Sequence, residues 1–180
     1  MIQPRLAVLW RQFDAAEVGL CRRCNRAQQF PPVGRLFGVV SRLGDGVFWY
    51  CLIALMPLLY GPGGATVALR MVACAAIGLI IYRTLKRRLV RERPYVWHSD
   101  IGCGAPPLDR FSFPSGHTLH AVCFTSLALT DFPELAWLLL PFTTLVAASR
   151  VVLGLHYPSD VLAGAALGYL IARVGLAVPF

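Results

Sequence analysis

Three polar clusters interrupt an otherwise apolar chain, and between them they hold two histidines, six cations and two carboxylates. The first cluster is Lys86-Arg87-Arg88-Leu89-Val90-Arg91-Glu92-Arg93-Pro94 and the second is Pro114-Ser115-Gly116-His117. The third is Ser149-Arg150 followed by His156 and Asp160. These residue types suit phosphoryl transfer. A phosphoryl group in its transition state spreads negative charge over three equatorial oxygens, and Lys86, Arg93 and Arg150 supply three cations for them. Arginine adds a planar fork that matches phosphate geometry. Ser115-Gly116-His117 opens an apolar run, where the free N–H groups of a starting helix bind anions. Covalent phosphoryl transfer needs one group to attack phosphorus and one to protonate the leaving oxygen. His117 and His156 are available, and residue type leaves open which does which. Asp160, four residues after His156, is in reach of its ring, where a carboxylate fixes the tautomer and stabilises the charged imidazole.

The elements that must position these clusters are apolar. Of the 180 residues 57% are hydrophobic and 14% charged, against about 25% charged in a soluble domain, and mean hydropathy is +0.61. The apolar residues gather into long runs, so a bilayer is the natural solvent. Five runs read as spanning helices: roughly 43–60, 65–82, 118–130, 135–151 and 158–178. Gly61-Pro62-Gly63-Gly64 breaks the first from the second, residues 83–113 form a polar stretch, and Asp131-Phe132-Pro133-Glu134 turns the third into the fourth. Pro158 suits a first helical turn. Arg70, inside the second run, is costly in lipid and is expected to snorkel or face protein. Residues 1–35 are basic, with Leu6, Leu9, Trp10, Phe13, Leu20 and Cys24 at rough helical spacing; they read as an amphipathic helix on the membrane surface. The expected fold is all-α: a helical transmembrane bundle of about five spans plus that N-terminal helix, in one membrane-embedded domain over 1–180. If the runs alternate across the membrane, the three clusters share one face.

Net charge is +8, with 17 Lys and Arg against 9 Asp and Glu. The charge lies between apolar runs, which points to anionic lipid headgroups or a phosphorylated substrate rather than nucleic acid. Arg87, Arg88 and Arg91 read as a basic juxtamembrane run. His120 reads as a packed, hydrogen-bonded histidine, and Asp45 as a turn residue at a membrane boundary, with a part in shaping the site as the alternative. Cys21 and Cys24 form a lone C-x-x-C with no second pair, and Cys51, Cys74 and Cys123 read as small buried hydrophobes. Three converging cations argue against a further dication, so no metal and no cofactor are expected.

The pattern Lys86-x6-Arg93-Pro94, Pro114-Ser115-Gly116-His117 and Ser149-Arg150-x5-His156-x3-Asp160 resembles the three-part signature of the type-2 phosphatidic acid phosphatase family, whose catalytic core is shared with vanadium haloperoxidases. The resemblance covers about residues 83–162, the catalytic signature region. It implies that His156 is the nucleophile that forms a phosphohistidine, that Asp160 orients it, and that His117 is the general acid and then the base that activates water. It implies that Lys86, Arg93, Ser115, Gly116 and Arg150 hold the phosphate. The implied activity is metal-independent hydrolysis of a lipid phosphomonoester or pyrophosphate in a bacterial inner (plasma) membrane. A lipid phosphotransferase using the same intermediate is the nearest alternative, and a non-catalytic membrane scaffold is the alternative from another class. The basic residues of the N-terminal segment and of the cluster around Arg88 place the active site on the cytoplasmic face by the positive-inside rule.

Overall fold

A computed structural model describes the backbone of residues 4–178 and the side chains of residues 15–178. Helices α1 (Pro4–Arg26), α2 (Pro31–Arg42), α3 (Phe48–Arg88), α4 (Pro94–Trp97), α5 (Gly116–Asp131), α6 (Ala136–Val152) and α7 (Pro158–Ala177) follow in order, with no strand among the described residues. Three stretches are long and apolar enough to cross a membrane: Pro31–Arg88, Pro133–Val152 and Pro158–Ala177.

The first of these stretches is not one straight rod. Helix α2 runs through a π-helical segment, Leu43–Val47, into α3. Within α3, Gly61 adopts φ 57° and ψ −137°, a conformation open to glycine and costly for other residues. Tyr50 and Ala76 would stand about 39 Å apart along a straight helix, yet both line one cavity. Gly61 therefore folds α3 back into two legs, as its Gly-Pro-Gly-Gly sequence predicts. The helix entering the first leg begins at Pro31, well before the apolar run that starts at Leu43. The second leg continues to Arg88, so Lys86 sits on its last turn rather than in a loop.

Trp49, Met56, Val67, Met71, Leu119, Phe124, Leu127, Leu139 and Val146 form the core between the α3 legs, α5 and α6. Helix α7 packs most closely on α5. A β-carbon built on Gly164 would lie 2.5 Å from the Ser115 carbonyl oxygen, and one on Gly168 2.2 Å from that of Leu119. This Gly-x-x-x-Gly stripe lets two backbones touch, the usual device of apolar helix pairs. The approach is anchored where chemistry is expected: Ser115 N donates to Asp160 O at 3.0 Å. Arg70 faces protein, with Asp131 Oδ2 3.6 Å from Nη1.

Helix α1 packs against α6 and α7, at the end of the bundle that holds the polar clusters. Asn25 donates to Gly102 O at 2.9 Å and to Val152 O at 3.0 Å. Its protein-facing side carries Glu17, Cys21 and Asn25, all buried. Leu20, from the apolar stripe that the sequence predicts, faces away and is 47% exposed. Leu6, Leu9, Trp10 and Phe13 lie outside the described side chains. The helix thus has a polar buried face that its apolar spacing does not reveal.

Candidate active site

A cavity of about 320 Å³, within the range of small-ligand sites (about 300–1,000 Å³), opens between the two α3 legs and α5. Lys86, Arg93, Gly116, His117, Arg150 and His156 line it, drawn from all three polar clusters. Alternation of the helices explains the convergence. Lys86 ends one helix, Gly116 and His117 begin the next, Arg150 ends the one after, and His156 and Asp160 straddle the start of the last.

The cations are held without being consumed. Arg93 is 2% exposed. Its Nη1 donates to Leu155 O at 2.7 Å and lies 3.2 Å from His156 Nε2. Arg150, also 2% exposed, donates from Nη1 to Ser41 Oγ at 2.6 Å, while its Nε is buried with no hydrogen-bond partner among the described residues. Such an orphaned donor is costly unless a ligand completes it. Lys86 Nζ donates to Phe111 O at 2.9 Å and to Asp109 Oδ1 at 2.5 Å, and Arg93 Nη2 reaches the same Asp109 oxygen at 2.8 Å. The Asp109 carboxylate thus bridges two of the three cations as a phosphate oxygen would. Burial pushes its carboxyl up, but the hydrogen bond and charge of Lys86, joined by Arg93, outweigh burial and hold it below the ordinary carboxylate range.

His156 is buried on the turn between α6 and α7, its backbone N donating to Arg150 O at 3.0 Å. Guanidinium groups only donate, so Nε2 facing Arg93 accepts and the ring proton sits on Nδ1. That nitrogen lies 3.7 Å from Asp160 Oδ2, beyond a hydrogen bond. Burial first, then the charges of Arg150, Arg93 and Lys86, push the ring well below its ordinary range. A neutral imidazole whose unprotonated Nε2 lies at the cationic end of the cavity, hydrogen-bonded to Arg93, has the chemistry of a nucleophile toward phosphorus.

Asp160 is fully buried behind His156. Its Oδ2 accepts from Tyr157 N at 2.8 Å, which caps α7, and its Oδ1 accepts from Arg91 Nη1 at 2.8 Å. Ser115 is the N-cap of α5, its Oγ 3.5 Å from Thr118 N and 3.0 Å from Thr118 Oγ1. It is buried outside the cavity lining, whereas Gly116 lies on it. His117 Nε2 pairs with Asp45 Oδ1. An ionised carboxylate only accepts, so this nitrogen carries a proton. His120 lines the cavity and is also hydrogen-bonded, its Nδ1 2.9 Å from Gly116 O.

Four residues that sequence reasoning passed over or left open surround this set. Arg87 and Arg88 are exposed, as a juxtamembrane run should be. Arg91 is not: besides Asp160 it donates to Ser159 Oγ at 2.7 Å and to Glu17 Oε2 at 2.8 Å, and stacks 3.9 Å over the Tyr157 ring. Glu17 Oε1 also accepts from Ser159 N at 2.7 Å. Asp45 occupies the π-helical segment ahead of Gly46 (φ 146°), a local irregularity typical of functional sites. Asp109 carries no spacing signal, because it reaches the cations from an irregular loop. Among the described residues, no three His, Cys, Asp or Glu side chains are grouped to hold a metal ion.

Comparison with known proteins agrees with this architecture. The PAP2 superfamily pattern matches residues 67–180, and the chain belongs to that superfamily. It is 31% identical over 140 residues to decaprenylphosphoryl-5-phosphoribose phosphatase of Mycobacterium tuberculosis, covering 75% of this chain and 74% of that one. It is 26% identical over 151 residues to undecaprenyl-diphosphatase of Sulfolobus acidocaldarius, covering 83% and 72%. The crystal structure of Aquifex aeolicus LpxE superposes with a TM-score of 0.78 at 22% identity, over 89% of this chain and 94% of that one.

Proposed function

We propose that this chain is a single-domain integral membrane phosphatase that hydrolyses a lipid phosphate through a phosphohistidine. One observation carries the reading. The cavity has a cationic end, where Lys86, Arg93 and Arg150 meet His156, and an apolar wall of Trp49, Ala75, Ala76, Leu79 and Phe124. Tyr50 lines the cavity and is nevertheless 70% exposed, so the mouth opens on the apolar flank of the bundle. A lipid reaches such a mouth from the bilayer, with its phosphate at the cations and its chain along the wall. The names of both relatives, phosphatases of prenyl-linked phosphates, support the same substrate class.

In this reading His156 Nε2 bonds to phosphorus as the P–O ester bond breaks, and the electron pair leaves with the ester oxygen. His117 gives that oxygen its proton, and the lipid alcohol departs. The deprotonated His117 then takes a proton from water as the water oxygen attacks phosphorus. The P–N bond breaks, His156 is regenerated and inorganic phosphate leaves. Lys86, Arg93 and Arg150, with the first-turn N–H groups of Gly116 and His117, balance the charge on the phosphoryl oxygens; Ser115 orients that turn as its cap. The cations take the place of a metal. Purified protein is expected to release phosphate from lipid phosphates in mixed micelles with EDTA present and to be inhibited by vanadate, which adopts the five-coordinate geometry of the transition state. Loss of activity in EDTA with recovery on adding Mg²⁺ overturns this. Transfer of label to an added acceptor lipid instead of water would mark a phosphotransferase.

We read the folded-back first stretch as two crossings and α5 as another, which gives five with α6 and α7. Arg22, Arg23, Arg26 and Arg35 accompany α1 and the start of α2, beside the active-site end. By the positive-inside rule that end faces the cytoplasm of a bacterial plasma membrane. The C-terminus then lies on the opposite side, so alkaline phosphatase fused after Phe180 is expected to be active and green fluorescent protein dark. The reverse pattern inverts the orientation and leaves the chemistry unchanged.

A further inference from the structure

Superfamily membership does not decide between a phosphomonoester and a diphosphate carried on a lipid: one relative is named for a phosphoribose on a lipid phosphate and the other for a lipid diphosphate. The cavity carries a difference between them. Its basic side chains, Lys86, Arg93 and Arg150, supply cations for one phosphoryl group, and two carboxylates, Asp45 and Asp109, share the lining. Asp109 already rests on Lys86 and Arg93, where the transferred phosphoryl group would displace it. Asp45 rests on His117, the group positioned to protonate the leaving oxygen. The lining also holds Tyr50, Tyr82, His120 and Trp49, whose buried indole N–H has no hydrogen-bond partner among the described residues.

A phosphomonoester and a diphosphate of the same lipid place the same terminal phosphoryl group on the cations. They differ in what lies just beyond the leaving oxygen. In the monoester it is an uncharged carbon, and the departing alkoxide is a strong base that needs a proton from His117. In the diphosphate it is a second, anionic phosphate, which leaves without help and meets no further lysine or arginine among the described lining residues. That second phosphate would instead stand beside the Asp45 carboxylate, a like-charge juxtaposition of the kind that excludes a competing ligand.

Resting on the phosphatase reading above, we propose that the substrate is a lipid phosphomonoester whose leaving oxygen belongs to an uncharged alcohol, and that Asp45 discriminates against lipid diphosphates. The Asp45 contact to His117 serves both ends: it holds the acid that an alcohol requires and repels the anion that an alcohol lacks.

The test compares phosphatidic acid with diacylglycerol pyrophosphate carrying the same acyl chains, in the same mixed micelles. The ratio of their kcat/KM values is read for phosphate release from the terminal group. The wild-type ratio is expected to favour the monoester by about tenfold or more, the size of one like-charge contact at a partly solvated site. Asp45→Asn lowers overall turnover through His117, but the ratio is internal to each variant. It is expected to fall several-fold as the diphosphate gains relative to the monoester. Asp109→Asn acts on the phosphoryl group common to both and is expected to leave the ratio where it was. A wild-type ratio at or below one overturns the inference and spares the phosphatase reading. A monoester preference that Asp45→Asn does not move overturns the assignment to Asp45. Release from neither probe overturns the phosphatase reading, and the inference with it.

Discussion

Replacing His156 with alanine is expected to abolish both phosphate release and the phosphoenzyme, because among the described lining residues His156 is the buried imidazole that meets Arg93 at the cationic end of the cavity. Replacing His117 with alanine is expected to act differently on the two half-reactions. With a lipid alcohol as leaving group, the first step loses its acid and slows by about 10²–10⁴-fold. With an aryl phosphate the leaving group needs no proton, so phosphorylation of His156 proceeds. Its hydrolysis still lacks a base, and a radiolabelled, acid-labile phosphoenzyme accumulates. Capture of that species in His117→Ala and its absence in His156→Ala would separate the two roles. Label trapped in the His156 variant would sink the assignment. The pH dependence follows from the same geometry. In the proposed mechanism His156 must be neutral to attack, and its pKa is depressed by burial and by Arg150, Arg93 and Lys86. A depressed pKa means that the ring stays unprotonated as pH falls through the ordinary histidine value of about 6.5. The acid limb that His156 contributes to kcat/KM, which reports the free enzyme, is therefore expected below that value, not at it.

What could be read in the sequence was what obeys spacing. Gly61-Pro62-Gly63-Gly64 announces a reversal because few residues other than glycine tolerate the backbone found there. The three polar clusters sit at helix ends because charge is expensive between them, and counting the helices brings the ends together. What could not be read came from elements that meet without periodicity. Asp109 reaches Lys86 and Arg93 from a loop rich in proline and glycine, where no spacing rule applies. Glu17 belongs to a helix whose apolar spacing points to a membrane surface, yet the face carrying Glu17, Cys21 and Asn25 is the one that docks. Arg91 was hidden by its neighbours: a run of arginines beside a membrane has an ordinary explanation. That explanation fits the exposed Arg87 and Arg88. The helix ends at Arg88, and the irregular segment that follows turns Arg91 inward. Asp45 stood between two readings because a turn at a membrane boundary and a π-helical bulge that aims a side chain look alike in Gly-Asp-Gly.

Arg91 carries the second large expected effect. Its guanidinium is the shared partner of two carboxylates that are almost wholly withdrawn from water, Glu17 and Asp160, with side chains 4% and 0% exposed. Arg91→Met keeps much of the side-chain volume and removes the charge, so both carboxylates are left buried without their cation. Removing one partner of a buried ion pair costs about 3–5 kcal/mol, which for a chain of this size lowers the unfolding midpoint by roughly ten degrees. Arg91→Lys is expected to recover only part, because one ammonium cannot span Asp160, Ser159 and Glu17 in the geometry of a planar fork. Glu17→Gln added to Arg91→Met is expected to restore some stability, since one of the stranded charges is then gone; the non-additivity measures the coupling. Arg91 does not line the cavity, so at temperatures where the variants stay folded the loss should fall on kcat, through a displaced Asp160 and His156, and leave KM nearly unchanged. Thermal unfolding in detergent followed by intrinsic fluorescence, with steady-state kinetics below the transition, reads both. A midpoint within a degree or two of wild type would put the Arg91 contacts in the class of exposed ion pairs, worth about 0–1 kcal/mol. It would remove the N-terminal helix from the support of Asp160 and His156.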